Sequence, residues 1–258
     1  MWEEPCISGK KGSGTVFFGG CNMGCVYCQN ARIRDGKVGK EISSQRLAEI
    51  FFELKGKGAN NINLVTPTHF VPDIIKALDI AKVQNLNIPV VYNTSGYEKV
   101  ETLKMLDGYI DIYLPDFKYY IEETAKEYSN SPNYTDCVKK ALAEMYCQVG
   151  KPAFYDDGIM KKGVIVRHLL LPQHTEESKQ IIKYLYDTYR DNIFISIMNQ
   201  YTPMPQVANH PILNKRVTDE EYEKLIDYAV DIGVENGFIQ EGETAKESFI
   251  PPFNNEGV

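Results

Sequence analysis

The feature that most restricts the fold of this chain is a regular alternation of short apolar segments with amphipathic helical segments. The apolar segments, rich in β-branched and aromatic residues, predict strands at 15–20, 61–67, 89–96, 110–120, 163–172 and 193–203. Helical periodicity is found between and after them, at 43–58, 73–85, 100–108, 133–150, 175–189 and 218–233. Strands that alternate with helices predict an α/β fold with a parallel sheet, outer helices and right-handed crossovers.

These segments make six β-α units in a chain of 258 residues, which is enough for one sizeable domain. Six units are fewer than the eight of a closed barrel, so we expect an open partial barrel or a doubly wound sheet. Residues 154–163 resemble a hairpin around an Asp-Gly turn, and GFIQ at 237–240 is a candidate last strand. Because no low-complexity tract divides the chain, we predict a single domain over 1–258 with a short N-terminal extension, 1–14.

Polar and reactive side chains follow the predicted strands, at the point where each strand ends. Because the carboxyl ends of parallel strands meet at one edge of a sheet, we expect these side chains to form a single site. Besides three cysteines after the first strand, the set comprises Thr66, Thr68, His69, Asn93, Thr94, Ser95, Asp116, Lys118, Arg167, Asn199, Gln200 and Tyr201.

The three cysteines Cys21, Cys25 and Cys28 lie within eight positions of one loop. Structural zinc sites need four ligands, commonly as two separated pairs, and the sequence has no second pair. Iron–sulfur clusters prefer cysteine thiolates and usually take four of them. Three thiolates therefore fit a [4Fe–4S] cluster in which one iron lacks a protein ligand and is able to bind a chelating substrate. A zinc or redox thiol loop is the alternative interpretation.

The composition is that of a soluble globular protein, with 43% hydrophobic and 24% charged residues. A net charge of -7 without basic runs argues against a nucleic-acid partner and against RNA modification. The sequence has neither an apolar run of about 20 residues nor a signal-peptide pattern, so we predict a cytoplasmic protein without a membrane partner. The isolated Cys6, Cys137 and Cys147 are interpreted as structural residues, the latter two as small buried hydrophobes.

The spacing C-x3-C-x-aromatic-C, with Tyr27 as the aromatic residue, is the signature of the radical S-adenosylmethionine (SAM) superfamily. Over nearly its whole length the chain resembles PflX-type radical SAM proteins, which are relatives of pyruvate formate-lyase activating enzyme. The resemblance is carried by WEEPCISGKKGSGTVFFGGCNMGCVYCQN, TPTHFVP, NTSGY, DIYLPDFKYY, HLLLP and SIMNQYTPM. It implies a partial (β/α)6 radical SAM barrel.

The resemblance also implies an activity and its cofactors. In that superfamily a [4Fe–4S] cluster reductively cleaves SAM to a 5′-deoxyadenosyl radical that abstracts hydrogen from the substrate. By resemblance the substrate is a protein or peptide, glycyl radical formation is a candidate reaction, and a low-potential donor such as flavodoxin or ferredoxin supplies electrons. The alternatives are a radical SAM enzyme acting on a small molecule or short peptide, and a non-enzymatic iron–sulfur or zinc-binding protein.

The stretch TPTH at 66–69 occupies the place of a Gly-Gly-Glu motif that contacts the SAM amino group in the activating enzymes. It carries no carboxylate, so the resemblance assigns the contact to backbone carbonyls, with Thr66, Thr68 or His69. The alternative is that Pro67 merely ends the strand and that His69 is an ordinary exposed histidine.

The stretch NTSG at 93–96 occupies the place of an Asp-Thr-Asn-Gly turn in the activating enzymes. Short polar side chains suit ribose hydroxyl contacts, so Asn93, Thr94 and Ser95 are assigned to SAM. Asp116 matches an Asp of a DLK stretch, and Lys118 matches a lysine near the SAM carboxylate and the substrate. An ordinary ion pair between these two residues is the alternative.

Arg167 lies within an apolar strand, where an arginine needs an anionic partner, and the resemblance assigns the SAM carboxylate to it. Tyr201 falls where the activating enzymes have a histidine near the radical site, so it is a candidate catalytic residue with Lys118. Asn199 and Gln200 are assigned to adenine or substrate contacts. No role is assigned to His168 or His174, for which a position on the surface is one interpretation.

Overall fold

Seven parallel strands form the centre of the fold in the computed structural model, which describes residues 3–239. They are β1 (Gly14–Phe17), β2 (Ile62–Val65), β3 (Val90–Thr94), β4 (Ile112–Pro115), β6 (Met160–Leu169), β7 (Phe194–Met198) and β8 (Gly237–Ile239). The eighth strand, β5 (Ala153–Phe154), pairs antiparallel with β6, as the predicted hairpin requires. The helices are α1 (Pro5–Ser8), α2 (Ala31–Arg34), α3 (Ser44–Gly56), α4 (Val71–Val83), α5 (Val100–Lys104), α6 (Glu122–Ser129), α7 (Tyr134–Val149), α8 (Thr175–Tyr189) and α9 (Asp219–Asp231).

The strand order β1-β2-β3-β4-β6-β7-β8 follows the order of the chain. A doubly wound sheet would reverse direction from a central strand, so sequential order identifies the partial barrel of the two predicted arrangements. Within the described residues β8 and β1 are not paired, and the barrel is open. The candidate last strand is confirmed over Gly237–Ile239, and Gln240 lies outside the described residues.

Local sequence signals explain where the long helices begin. The Ser43 side chain accepts a hydrogen bond from the backbone N–H of Arg46 at 3.1 Å and caps α3. Thr218 and Glu221 form the reciprocal capping box that begins α9. The apolar face of α8 is buried against the sheet and lowers the free energy of the fold through burial of apolar area. Between residues 3 and 239, none of the helices combines the length and apolarity that crossing a bilayer requires.

Helix α6 is an element that the sequence did not predict, because its sequence EETAKEYS carries only a narrow apolar stripe. The preceding strand was predicted over 110–120, whereas β4 ends at Pro115. The chain leaves the sheet there because the backbone N–H groups of Tyr120 and Ile121 both donate to the Glu177 carboxylate, at 2.8 Å. Asn130, in the left-handed conformation, then ends α6.

The predicted N-terminal extension packs on the face of the sheet turned away from the helices, in the interior of the open barrel. Cys6 and Ile7 of α1 form a second apolar core with inward-facing residues of β3, β4 and β6, namely Val91, Ile112, Leu114, Met160 and Ile165. The Asn61 amide donates to the Ile7 carbonyl at 2.8 Å. The segment before β1 is therefore part of the barrel core.

Candidate functional site

The cysteine loop lies at the carboxyl edge of the sheet and is clamped between two neighbouring elements. The backbone N–H groups of Gly24 and Val26 each donate at 2.8 Å, to the carbonyls of Ser129 and Tyr128 at the end of α6. The Asn22 side chain donates to the carbonyl of Tyr97, in the turn after β3, at 2.6 Å. Backbone bonds on one side and a side-chain bond on the other fix the position of the loop.

The segment after β7 contacts the same loop from another direction. Gln29 donates to the Gln200 carbonyl at 3.4 Å, and Gln206 donates to the Cys28 carbonyl at 3.1 Å. Arg34 donates to the Cys25 carbonyl at 2.5 Å. The ends of β1, β3 and β7 thus meet, as the placement of polar residues at strand ends predicted.

The three thiols are partly or fully shielded from solvent. Cys25 is buried, and Cys21 and Cys28 are half-buried. Burial raises the pKa of Cys21 and raises that of Cys28 to about 11, while the nearby Lys118 ammonium acts in the opposite direction. Binding of iron would displace these protons.

The donor set also distinguishes a cluster from a single ion. Among the described residues, no three His, Cys, Asp or Glu side chains are arranged to hold one metal ion. A [4Fe–4S] cluster places each cysteine on a different iron, so its ligands need not converge on one point. Cys21, Cys25 and Cys28 on one anchored loop therefore fit three corners of a cluster.

A buried ionic network fills the centre of the barrel next to the loop. The Asp116 carboxylate contacts Lys118 Nζ at 2.7 Å and Arg167 Nε at 3.0 Å. Arg167 also donates to the Asn93 side-chain oxygen at 2.6 Å and contacts the Glu3 carboxylate at 3.2 Å. Exposed fractions of only 15–18% for Arg167, Asp116 and Lys118 show that this is no ordinary surface ion pair.

Charge pairing decides the protonation states in this network. Burial alone would raise the pKa of Asp116, but Lys118 and Arg167 outweigh it and the pKa is lowered. Burial likewise opposes the charge of Lys118, but Asp116 and then Cys25 hold its pKa above the usual value. Both side chains are therefore charged at neutral pH, and the Lys118 ammonium interacts electrostatically with Cys25.

Glu3 is a member of the network that sequence reasoning missed. Its carboxylate contacts Arg167, and its other oxygen accepts a hydrogen bond from Asn63 at 2.9 Å. Arg167 therefore has three protein partners before any ligand is considered: Asp116, Asn93 and Glu3. The predicted contact of Arg167 with the SAM carboxylate stays a prediction, and it would require Arg167 to share or exchange one of them.

The end of β2 carries local backbone strain. Thr66 adopts a φ of 58°, a left-handed conformation that β-branched residues rarely take and that costs on the order of 1–3 kcal/mol. Its N–H donates to the Asn93 carbonyl at 3.0 Å, which joins the ends of β2 and β3. His69 is exposed. Strained residues held by their surroundings are typical of functional sites, which favours a role for Thr66. The exposure of His69 agrees with the alternative that it is an ordinary exposed histidine, and the SAM contacts of residues 66–69 stay predictions.

Glu98 links the two loops assigned to SAM, and sequence reasoning missed it too. One carboxylate oxygen accepts hydrogen bonds from Thr68 at 2.6 Å, Thr94 at 2.5 Å and Tyr92 at 3.4 Å. The other oxygen is buried without a partner among residues 3–239, and burial raises the pKa of Glu98. An acidic residue directly after NTSGY was the available signal. The hydroxyl groups of Thr68 and Thr94 are thus engaged by Glu98, and their predicted contacts with SAM stay predictions.

The turn at Gly96 comes so close to Asp116 and Val138 that only glycine fits there. Gly96 has a φ of 76°, and a Cβ there would meet the Asp116 carbonyl and come within 2.8 Å of Val138. Gly108 has the same φ, with nothing within 4 Å of its Cβ position. The turn after β3 therefore lies directly against the network residue of β4.

We expect Gly96→Ala to lower the free energy of unfolding by about 1–3 kcal/mol more than Gly108→Ala. Both changes impose the same backbone penalty, so their difference reports the overlap with Asp116 and Val138. Chemical denaturation measures both variants. Equal losses would mean that the turn relaxes without disturbing β4.

Tyr201, which follows β7, makes contacts that the sequence did not indicate. Tyr201 is only 2% exposed, and its hydroxyl donates to the Leu213 carbonyl at 2.6 Å. Its ring packs edge-on against Tyr27, with 5.9 Å between centroids. Asn199 and Gln200 are half-buried beside the cysteine loop. The hydroxyl of Tyr201 is thus engaged in holding the segment after β7, and its catalytic role stays a prediction.

Two expectations about isolated residues are wrong. His168 is buried, with ring nitrogens 2.7 Å from the Phe117 carbonyl and 2.8 Å from Ser178 Oγ; burial lowers its pKa to about 4. The lowered pKa keeps His168 neutral at pH 7. The side chain is buried because alternate residues of β6 face the helices. His174 is also half-buried.

Cys147 is exposed on α7 rather than buried, whereas Cys6 is buried as expected of a structural cysteine.

An open β/α barrel with three cysteines on the loop after its first strand defines a class of cluster-dependent enzymes. The chain belongs to the Radical SAM superfamily, because the model of that family matches residues 15–229. It is 32% identical over 226 residues to the uncharacterized protein MJ0674 of Methanocaldococcus jannaschii, a match that covers 84% of this chain and 62% of that protein. Lipoyl synthase of Buchnera aphidicola is 24% identical over 227 residues, with 84% and 66% covered.

Solved structures share the fold at lower identity. SuiB of Streptococcus suis bound to its precursor peptide SuiA is 16% identical, with a TM-score of 0.60 over 88% of this chain and 48% of SuiB. The chain spans about 62% of MJ0674 and about half of SuiB. The superfamily uses a [4Fe–4S] cluster and SAM, which confirms the predicted cofactors, and the parallel sheet with outer helices confirms the predicted fold.

Proposed function

We propose that this chain is a radical SAM enzyme of the activating-enzyme-like, PflX-related type, which abstracts hydrogen from a protein or peptide. The observation that carries the proposal is the anchored cysteine loop. Three thiols stand on one loop at the carboxyl edge of an open sheet, fixed by α6 and by the segments after β3 and β7. Lys118 supplies a positive charge beside them.

The side chains divide the work between binding and orientation. Cys21, Cys25 and Cys28 would hold the cluster, which when bound supplies the electron for reductive cleavage of SAM. Lys118 offers a point charge for the SAM carboxylate or for the substrate, and Asp116 keeps it charged and in place. The turn that contains Ser95 lies against Asp116 and is suited to the ribose.

Two features support a protein or peptide as the substrate. The sheet is not closed between β1 and β8 within the described residues, and an open sheet edge of this kind is where a loop of a protein substrate would enter. SuiB, which shares this fold, has been solved with a precursor peptide. A low-potential flavodoxin or ferredoxin is the proposed electron donor, and a glycyl radical in a partner enzyme is the proposed product.

The test of the radical chemistry is reconstitution with iron and sulfide without oxygen, followed by reduction with dithionite and addition of SAM. We expect 5′-deoxyadenosine from the wild type and only background amounts from Cys25→Ala. A fully assembled cluster that yields no 5′-deoxyadenosine would contradict the proposal and favour a non-enzymatic iron–sulfur protein.

The test of the substrate class uses the same reduced protein with candidate glycyl radical enzymes. We expect an electron paramagnetic resonance signal of a glycyl radical that depends on SAM. A small molecule or short peptide that stimulates 5′-deoxyadenosine formation, while the candidate partner enzymes give no radical signal, would favour the alternative substrate class.

A further inference from the structure

A chain of buried hydroxyl groups ends at one of the cluster cysteines. Ser129 Oγ lies 2.9 Å from Cys25 Sγ, Tyr119 OH lies 2.5 Å from Ser129 Oγ, and Tyr27 OH lies 2.6 Å from Tyr119 OH. All four residues are at most 8% exposed. Neither the cluster chemistry nor the SAM contacts described above use Ser129 or Tyr119.

The number of protons gives this chain a direction. Each hydroxyl has one proton to donate, and three contacts join four groups. A cysteine bound to iron is a thiolate, which accepts hydrogen bonds and has no proton to give. Tyr27 then donates to Tyr119, Tyr119 donates to Ser129, and Ser129 donates to Cys25, so that every proton is used once.

The backbone holds the donor in place. The Gly24 and Val26 N–H groups bond to the carbonyls of Ser129 and Tyr128 at 2.8 Å, on either side of Cys25. The backbone of Ser129 therefore stays beside Cys25 as long as α6 is bound to the cysteine loop, and the contact with Tyr119 holds the hydroxyl group toward the sulfur. A donor fixed in this way keeps its contact when the charge on the sulfur changes.

We propose that Ser129 donates a hydrogen bond to the Cys25 thiolate and thereby raises the reduction potential of the cluster. Tyr119 and Tyr27 polarise the Ser129 hydroxyl group through the chain of hydrogen bonds. The inference rests on the proposed function, in which Cys25 is a cluster ligand. Reduction adds negative charge to the cluster and its sulfurs, and a hydrogen-bond donor stabilises that charge. Hydrogen bonds in a chain polarise one another, so Tyr119 strengthens the donor that it contacts.

The experiment is an anaerobic redox titration of the reconstituted protein, followed by electron paramagnetic resonance of the reduced cluster. We expect the midpoint potential of Ser129→Ala to be more negative than that of the wild type. Tyr119→Phe keeps the serine and should shift the potential in the same direction by less. Iron and sulfide contents of the same samples show whether the cluster is intact.

Matched controls lie close by. Ser131 is buried in the same segment but donates to the Ser129 carbonyl, and Tyr113 is a buried tyrosine whose hydroxyl contacts Gln148. Ser131→Ala and Tyr113→Phe should titrate like the wild type.

Unchanged potentials in Ser129→Ala and Tyr119→Phe, with full iron content, would overturn the inference and leave the proposed function standing. If Ser129→Ala does not retain the cluster, Tyr119→Phe decides the matter alone. Failure of the wild type to assemble a cluster would instead overturn the proposed function.

Discussion

Replacing Cys21, Cys25 or Cys28 by alanine is expected to abolish the cluster and SAM cleavage together. A [4Fe–4S] cluster in this loop has only three protein thiolates, so the loss of one leaves two irons without a protein ligand. Bound iron should fall from about four atoms per chain to near zero, measured after reconstitution without oxygen. The 5′-deoxyadenosine produced from SAM should fall to background in the same samples.

The remaining cysteines provide the controls for this experiment. Cys147 is exposed on α7, and Cys137 is half-buried on the same helix, away from the cysteine loop in sequence. Cys137→Ala and Cys147→Ala should keep iron content and SAM cleavage near the wild-type values. Extensive loss of iron from either variant would contradict the assignment of the three ligands.

Asp116→Ala is expected to cause a large loss of stability. The carboxylate is the shared partner of Arg167 and Lys118, and its removal leaves two buried cations with one fewer anion. Breaking a buried ionic network in this way costs about 3–5 kcal/mol in the free energy of unfolding. Urea denaturation monitored by circular dichroism measures it.

The pKa of the Asp116 carboxylate predicts how the difference in stability between wild type and Asp116→Ala changes with pH. The pKa of Asp116 is lowered in the folded protein, so its contribution to stability is present above the unfolded value of about 3.9. The contribution is lost as the pH falls through the folded pKa. The stability gap between wild type and Asp116→Ala should therefore be widest near neutral pH and should narrow below about pH 4.

An exposed aspartate is the matched control. Asp73 contacts Lys76 at 3.0 Å, with both side chains more than half exposed, and such surface pairs contribute about 0–1 kcal/mol. Asp73→Ala should leave the urea midpoint almost unchanged. An Asp116→Ala variant that unfolds at the same urea concentration as the control would mean that Arg167 and Lys118 find other partners.

Much of the fold could be predicted because its signals are local. Apolar segments located the parallel strands, and the period of 3.6 residues located the long helices, including α9, which begins with the capping box of Thr218 and Glu221. The cysteine spacing identified the superfamily for the same reason, since all three ligands lie within eight residues. Side chains at strand ends could be grouped because parallel strands share one edge.

The contacts that were missed join residues far apart in the chain. Ser129 meets Cys25 across 104 positions, and Arg167 meets Glu3 across 164. Glu98 is close to Thr94 in sequence but reaches Thr68 on another loop. A single sequence contains no record of such pairings. The polar helix α6 was missed because it is held by the cysteine loop rather than by a broad apolar face of its own.

The position of the first residues inside the barrel has a consequence for the order of folding. Glu3 and Ile7 are synthesised before their partners, which include Asn61, Asn63 and, last of all, Arg167. Contacts of such long sequence separation form late, because much chain entropy is lost before they are made. The contacts of Glu3 are therefore complete only after more than 160 further residues have been synthesised.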